Sequence, residues 1–265
     1  AGINNPIQSD IIGVLWAVIQ PISMMLLFVV VFGLVLNIET NGSPRSIFYL
    51  SSLIPWTLFL ASVNASINSL PEHRDLITKI YFPRELIIFS RISVFVSDFL
   101  ISVLLLTGML FWYEIPFTLN SLWSIPLFIL LLFFTASICL LFATINVFYR
   151  DVKLVSSFVL QAWFFATPIF YSVDAVSMKM KLILFLNPLT YIIENFRRVL
   201  IEERGVVLWQ FSIETCFVIL FFIISYKFFI GVKGHLQMSS NHVISLEKVS
   251  KVYSKGHNLH GTLRE

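Results

Sequence analysis

Residues 71–85 read Pro-Glu-His-Arg-Asp-Leu-Ile-Thr-Lys-Ile-Tyr-Phe-Pro-Arg-Glu. On one side stands an apolar run over residues 48–70, on the other a run over residues 86–113. Each is longer than the roughly 20 residues a helix needs to cross a bilayer. The insert is charged, mostly basic, and bracketed by Pro71 and Pro83. Proline at each end isolates a short helix or turn. Two readings fit it: a plain cytosolic loop, or a small helix offered to a soluble partner. Leu76, Ile77, Ile80, Tyr81 and Phe82 give it an apolar face between basic flanks, which suits docking into a groove.

Working outward, four further apolar runs cover residues 11–36, 122–148, 154–171 and 208–230. Lipid offers no partner for free backbone groups, so each span must be helical. The fold class is therefore all-α: a polytopic membrane protein with six transmembrane helices. Composition agrees. Of 265 residues, 57% are hydrophobic and 12% charged, with mean hydropathy +0.86. A soluble domain carries about 25% charged residues. The net charge of +3 does not point to nucleic acid. Cys139 and Cys216 both lie in apolar runs and read as small core residues, not as a disulfide.

Lys and Arg set the orientation. One side holds eight (Arg74, Lys79, Arg84, Arg91, Arg150, Lys153, Lys227, Lys233), the other six (Arg45, Lys179, Lys181, Arg197, Arg198, Arg204). Five of those six fall in one long segment, where the rule is weak. Both termini and the 71–85 insert are expected in the cytoplasm.

Residues 172–207 are too apolar for a free loop and too broken for a span. Residues 178–186 and 191–201 are amphipathic and separated by Asn187-Pro188. Two readings stand: a re-entrant helical pair covered by protein, or two helices lying flat at the interface. Beyond Lys233 the composition changes. Residues 234–242 read as a linker, and residues 243–249 alternate as a strand does. Residues 243–265 are expected to open a soluble domain or form a cytosolic tail. Residues 1–10 are expected to be a shortened interfacial segment ahead of a permease domain over 11–233.

Polar residues inside the spans carry two readings. Asn64 and Asn68 share a helical face, and Gln20, Thr135, Thr144, Asn146 and Gln161 mark other spans. They can join helices, at about 1 kcal/mol or less each, or line a path. Asp98, two turns from Arg91, should face protein or water. Trp163, Phe164, Phe165, Phe170 and Tyr171 form an aromatic cluster near one membrane edge. It reads as an interfacial belt or as a surface for stacking sugar rings. There is no Walker phosphate loop, no Gly-x-Ser-x-Gly elbow and no His-Glu-x-x-His. Any ATP hydrolysis is expected in a partner or in a fused domain.

Four strings, in order, carry a resemblance. They are Leu15-Trp16-Ala17-Val18-Ile19-Gln20-Pro21, Leu76 through Arg84, Asn146-Val147-Phe148-Tyr149-Arg150-Asp151-Val152, and Leu186-Asn187-Pro188 followed by Glu194-x-Phe196-Arg197. Together they resemble the permease subunit of the type-2 ATP-binding-cassette polysaccharide exporters, which handle O-antigen, capsule and teichoic acid. The resemblance implies a homodimer enclosing a channel for a lipid-linked glycan in a bacterial inner membrane. It implies a cassette ATPase, separate or fused, that binds ATP and magnesium; this chain itself would hold no cofactor. It implies coupling through Arg74, Lys79, Tyr81 and Arg84, and a cytosolic turn at Arg150 and Asp151. It favours the re-entrant reading, with Asn187, Pro188, Glu194 and Arg197 in an outer gate. Asn64, Asn68, Gln161, Trp163, Phe165 and Tyr171 are the expected channel lining. Residues 244–253 resemble the first strand of a cassette ATPase, with Tyr253 where that family stacks an aromatic ring on adenine. The chain departs from the family where a basic amphipathic helix usually precedes the first span: residues 4–10 are short and non-basic there.

Three rivals remain at this point. A type-2 exporter of drugs or lipids shares the fold. A membrane-embedded glycosyl- or acyltransferase needs an acid at a membrane edge, for which Asp98 and Asp174 are the candidates. A secondary transporter should show inverted repeats and a midplane ion site, and neither is visible.

Overall fold

The computed structural model describes residues 6–40, 42–72, 83–149 and 151–241, with side chains described over residues 16–232. The apolar runs become helices α1 (Pro6–Phe28), α2 (Arg45–Ile67), α4 (Glu85–Trp112), α5 (Ser124–Phe148), α6 (Val152–Phe165) and α9 (Leu208–Asn241). Between them lie α3 (Ser69–Glu72), α7 (Met178–Leu184) and α8 (Pro188–Leu200). Among the described residues, five helical segments are long and apolar enough to cross a membrane: Trp16–Val35, Arg45–Ile67, Glu85–Trp112, Leu119–Phe148 and Leu208–Val232. The sixth expected span is shorter. α6 ends at Phe165, not near residue 171. Pro168, with no N–H and a restricted preceding residue, stops the helix there.

α2 is the central post. It packs on α1, α4, α5, α6 and α8, while α5 carries α9 and also packs on α4, α6 and α8. Within the spans, 78% of the α2 window is buried, against 22% for α1 and α4 and 17% for α9. The outer helices thus meet the surroundings with apolar side chains, among them Val31, Leu104, Phe111, Ile219 and Ile224. That is the arrangement lipid requires, since lipid gives no hydrophobic drive to hide such residues.

Serine and threonine are tolerated in these helices because their hydroxyls turn back on the preceding turn. Ser51 and Ser52 both donate to the Phe48 carbonyl, Ser137 to Phe133 and Thr144 to Leu140. These four hydroxyls thus ask nothing of the lipid.

α1 continues as π-helical turns over Val29–Val35, closed by Leu36 N–H donating to the Val31 carbonyl at 3.0 Å. Gly33 lies there because the Arg45 side chain crosses it. A Cβ at Gly33 would sit 2.8 Å from Arg45 Cδ. Arg45 then donates to Asn37 Oδ1 at 2.7 Å, joining the end of α1 to the start of α2.

Side-chain bonds show which ends lie together. Ser46 Oγ meets the Tyr113 hydroxyl at 3.0 Å, and Asn120 Nδ2 donates to the Glu203 carbonyl at 2.7 Å. The start of α2, the end of α4, the start of α5 and the start of α9 therefore share one side with α7 and α8. On the opposite side Arg91 pairs with Glu72 at 3.3 Å. There Asn146 Nδ2 donates to the Ile67 carbonyl at 2.9 Å, capping the end of α2 from α5.

Candidate functional site

Among the described residues, the segment after α6 holds the densest polar construction. Its centre is Arg197, which is only 1% exposed. One guanidinium nitrogen, Nη1, donates to Glu194 Oε2 at 3.0 Å. The other, Nη2, donates to Ser52 Oγ at 2.6 Å and to the Pro168 carbonyl at 2.9 Å. The guanidinium carbon sits 3.7 Å from the centre of the Phe48 ring, a cation–π contact. One side chain thus ties α8 to α2 and to the chain just beyond α6. Burial raises the Glu194 pKa, and the Arg197 charge pulls it back. Burial lowers the Arg197 pKa, and Glu194 opposes that. Each charge is in place because the other is.

A second hub lies at the start of α8. Asn187 is its N-cap, with Oδ1 accepting from Leu189 N–H at 3.1 Å, and Pro188 follows in the first helical turn. The same Oδ1 accepts the Trp163 indole N–H at 2.9 Å. Asn187 Nδ2 donates to Thr167 Oγ1 at 2.9 Å, and the Thr167 hydroxyl donates to the Trp163 carbonyl at 2.8 Å. The α8 start is therefore fastened to the end of α6. Residues 188–197 are buried throughout, held against α2 and α5. An amphipathic helix so covered is not lying on a membrane surface: its polar side meets Ser52 and Pro168.

α7 is the opposite case. Met178, Met180, Leu182, Ile183 and Phe185 are exposed, and Leu184 is the buried residue. An ion pair from Lys181 to Asp174 at 3.0 Å fastens it.

The residues expected to line a path divide. Asn64 on α2 and Gln161 on α6 are exposed, as are Gln20 on α1 and Phe165, which is 57% exposed. Asn68 is half-buried, with its Oδ1 3.4 Å from Asn146 Nδ2. The structure turns Trp163 inward, its ring 5.4 Å from Phe59, while Tyr171 is half-buried against Phe170 at 5.1 Å. α1 and α6 both pack on α2, so the exposed amides belong to three neighbouring helices.

Of the residues expected to couple to a partner, Arg84 is buried just ahead of α4. Burial lowers its pKa, with Glu85 opposing. Arg74, Lys79, Tyr81, Arg150 and Tyr253 lie outside the described residues. Asp151 stands exposed at the α6 N-cap. Sequence reasoning missed Ser52 and Phe48 as partners of Arg197. The available signal was a Ser51-Ser52 pair inside an apolar run, together with an arginine that a buried helix would have to satisfy.

Residues 5–201 match the ABC-2 type transporter family. An O-antigen export system permease protein RfbA of Klebsiella pneumoniae is 29% identical over 191 residues, 72% of this chain and 73% of its own length. One from Myxococcus xanthus is 28% identical over 207 residues, 74% of this chain and 76% of its own. The family match spans all of the helices from α1 to α8, including both hubs. The chain belongs to the ABC-2 type transporter family and is a multi-pass membrane permease, the transport subunit of an ATP-driven exporter.

Proposed function

We propose that two copies of this chain form a conduit for a polysaccharide carried on a lipid, of the O-antigen, capsule or teichoic acid type, across a bacterial inner membrane. The observation that carries this reading is the face shared by α1, α2 and α6. Gln20 and Asn64 stand uncovered on membrane-spanning helices, and Gln161 stands uncovered on the shorter α6, one turn from the exposed Phe165 ring. Lipid cannot satisfy amide groups. Sugars can: they offer hydroxyls to the amides and C–H faces to the ring. The similar proteins named as O-antigen export permeases agree with that chemistry.

A cassette ATPase binding ATP and magnesium drives the cycle from the cytoplasmic side, where both termini and residues 71–85 lie. It pushes through Arg74, Lys79, Tyr81 and Arg84, with the turn at Arg150 and Asp151 beside them. Motion reaches α4 through Arg84 at its start. On the far side α8 stays fixed through Asn187, Pro188, Glu194 and Arg197. α7 moves against it and opens the exit.

Cysteines placed at Asn64 and Gln161 test the conduit. With the ATPase and substrate present, a hydrophilic thiol reagent should label both, and a bulky reagent at Gln161 should stop glycan reaching the cell surface. Unlabelled cysteines, or full export with both positions blocked, would sink this reading.

A further inference from the structure

The side of the protomer built by α4, α5 and α9 carries two charges that the conduit does not use. Asp98 is exposed on α4 and Lys227 is exposed on α9. Neither side chain has an ion-pair partner among the described residues. Both lie within helices long enough to span the membrane. Between them α5 packs on both neighbours and exposes an apolar row, Ile125, Ile129 and Phe133.

Their depths match. Exposed Trp112 and Trp209 mark the same membrane edge, because the α4–α5 and α8–α9 connections are bonded together there. At about 1.5 Å per residue, Asp98 lies about 21 Å below Trp112 and Lys227 about 27 Å below Trp209. Helical side chains lean toward their own N-terminus. α4 and α9 run in opposite directions, so Lys227 leans up toward the Asp98 level while Asp98 leans down. The four-carbon stem of lysine covers the remaining offset.

We propose that the α4–α5–α9 face binds a second copy of this chain within the membrane, with Asp98 of each copy paired to Lys227 of the other. A two-fold axis along the membrane normal preserves depth and reverses the order of helices across the contact. It therefore sets α4 against the other copy's α9 twice, and the apolar α5 rows against each other. Aspartate is too short to reach water from that depth, and a charge in a span calls for a partner. A second copy supplies one at the right level. This contact is distinct from the α1–α2–α6 face and does not rest on the conduit reading. It would join conduits side by side.

Ser97 and Ile224 are both exposed and lie at one level, about 22 Å below Trp112 and Trp209 respectively. The test uses the full chain in its own membrane with Cys139→Ala and Cys216→Ala. Differently tagged chains carrying Ser97→Cys or Ile224→Cys are co-expressed and oxidised. A mixed disulfide dimer should form, and neither chain alone should give one. Asp98→Lys should cut the yield at least tenfold, and Asp98→Lys with Lys227→Asp in both chains should restore it. Asp98→Asn, the gentler change, should also lower it, with monodisperse elution confirming that each variant folds. The proposal fails if no mixed dimer forms, or if Asp98→Asn leaves its yield unchanged. It fails equally if a cysteine at 98 reacts with a membrane-impermeant charged reagent, which would place that residue in water.

Discussion

Replacing Arg197 by methionine removes the cation paired with Glu194 in the α8 hub while keeping a side chain of similar length. Three hydrogen bonds go with it, to Glu194, Ser52 and Pro168, and so does the contact on Phe48. The larger effect is on what remains: Glu194 keeps its charge in a buried site, where it is 7% exposed. Breaking a buried pair from one side costs about 3–5 kcal/mol. For a chain of this length that is a fall in Tm of about 6–20 °C. The assay is thermal unfolding of purified protein in mild detergent. Adding Glu194→Met to Arg197→Met should recover most of the loss, because the stranded charge is gone. The pH dependence has a definite sign. Without Arg197, only the weaker pull of Arg198 opposes the burial that raises the Glu194 pKa, so the folded state holds its proton more tightly than the unfolded chain does. Stability of Arg197→Met should then rise as pH falls toward the ordinary glutamate range near about 4.3. An Arg197→Met protein with unchanged Tm, or one equally unstable at pH 5 and pH 8, would refute the argument that this pair anchors α8.

Other substitutions probe separate links. Asn187→Ala removes the α8 cap and strands the Trp163 indole N–H, while the Thr167 hydroxyl keeps its bond to the Trp163 carbonyl; the cap alone is worth about 1 kcal/mol, and the total loss in thermal unfolding should be about 2–3 kcal/mol. Asn187→Asp keeps the accepting oxygen and should cost less than Asn187→Ala. Asn146→Leu leaves the Ile67 carbonyl at the end of α2 without its partner and should lower stability by about 1–3 kcal/mol. Reversing charge with Lys79→Glu and Arg84→Glu should abolish export while membrane insertion, read by fractionation, stays normal.

Long apolar runs made most of the fold legible. In α2, α4 and α5 the run and the helix differ by a few residues, because lipid leaves helix as the only way to satisfy the backbone, while α9 begins with its run and continues well past it to Asn241. The sixth run was harder. Thr167-Pro168 looks apolar enough to continue it, yet its backbone turns to serve Arg197. The Asn187-Pro188 pair reads as a break, and the structure makes it a beginning: a cap and the first helical residue of α8. Arg197 itself was visible as a residue of interest, but its partners Ser52 and Pro168 were not. Contacts across 145 and 29 residues leave no periodic trace. The π-helical turns at Val29–Val35 were likewise invisible, being set by how Arg45 crosses Gly33 rather than by a local preference. Among the path residues, the amide pattern pointed to Asn64 and Gln161, both exposed. It could not tell that Trp163 turns inward to Asn187, since an aromatic at a membrane edge has the same sequence signature facing either way.

The most direct measurement is transport by purified components. The chain and its cassette ATPase are reconstituted into vesicles with a lipid-linked polysaccharide on the ATPase side, and glycan on the opposite side is counted with and without ATP. Glycan should appear only with ATP and magnesium, and should stop when Gln161 carries a bulky thiol adduct. Movement without ATP, or ATP-driven movement that ignores the blocked Gln161 position, would contradict a conduit along the α1–α2–α6 face.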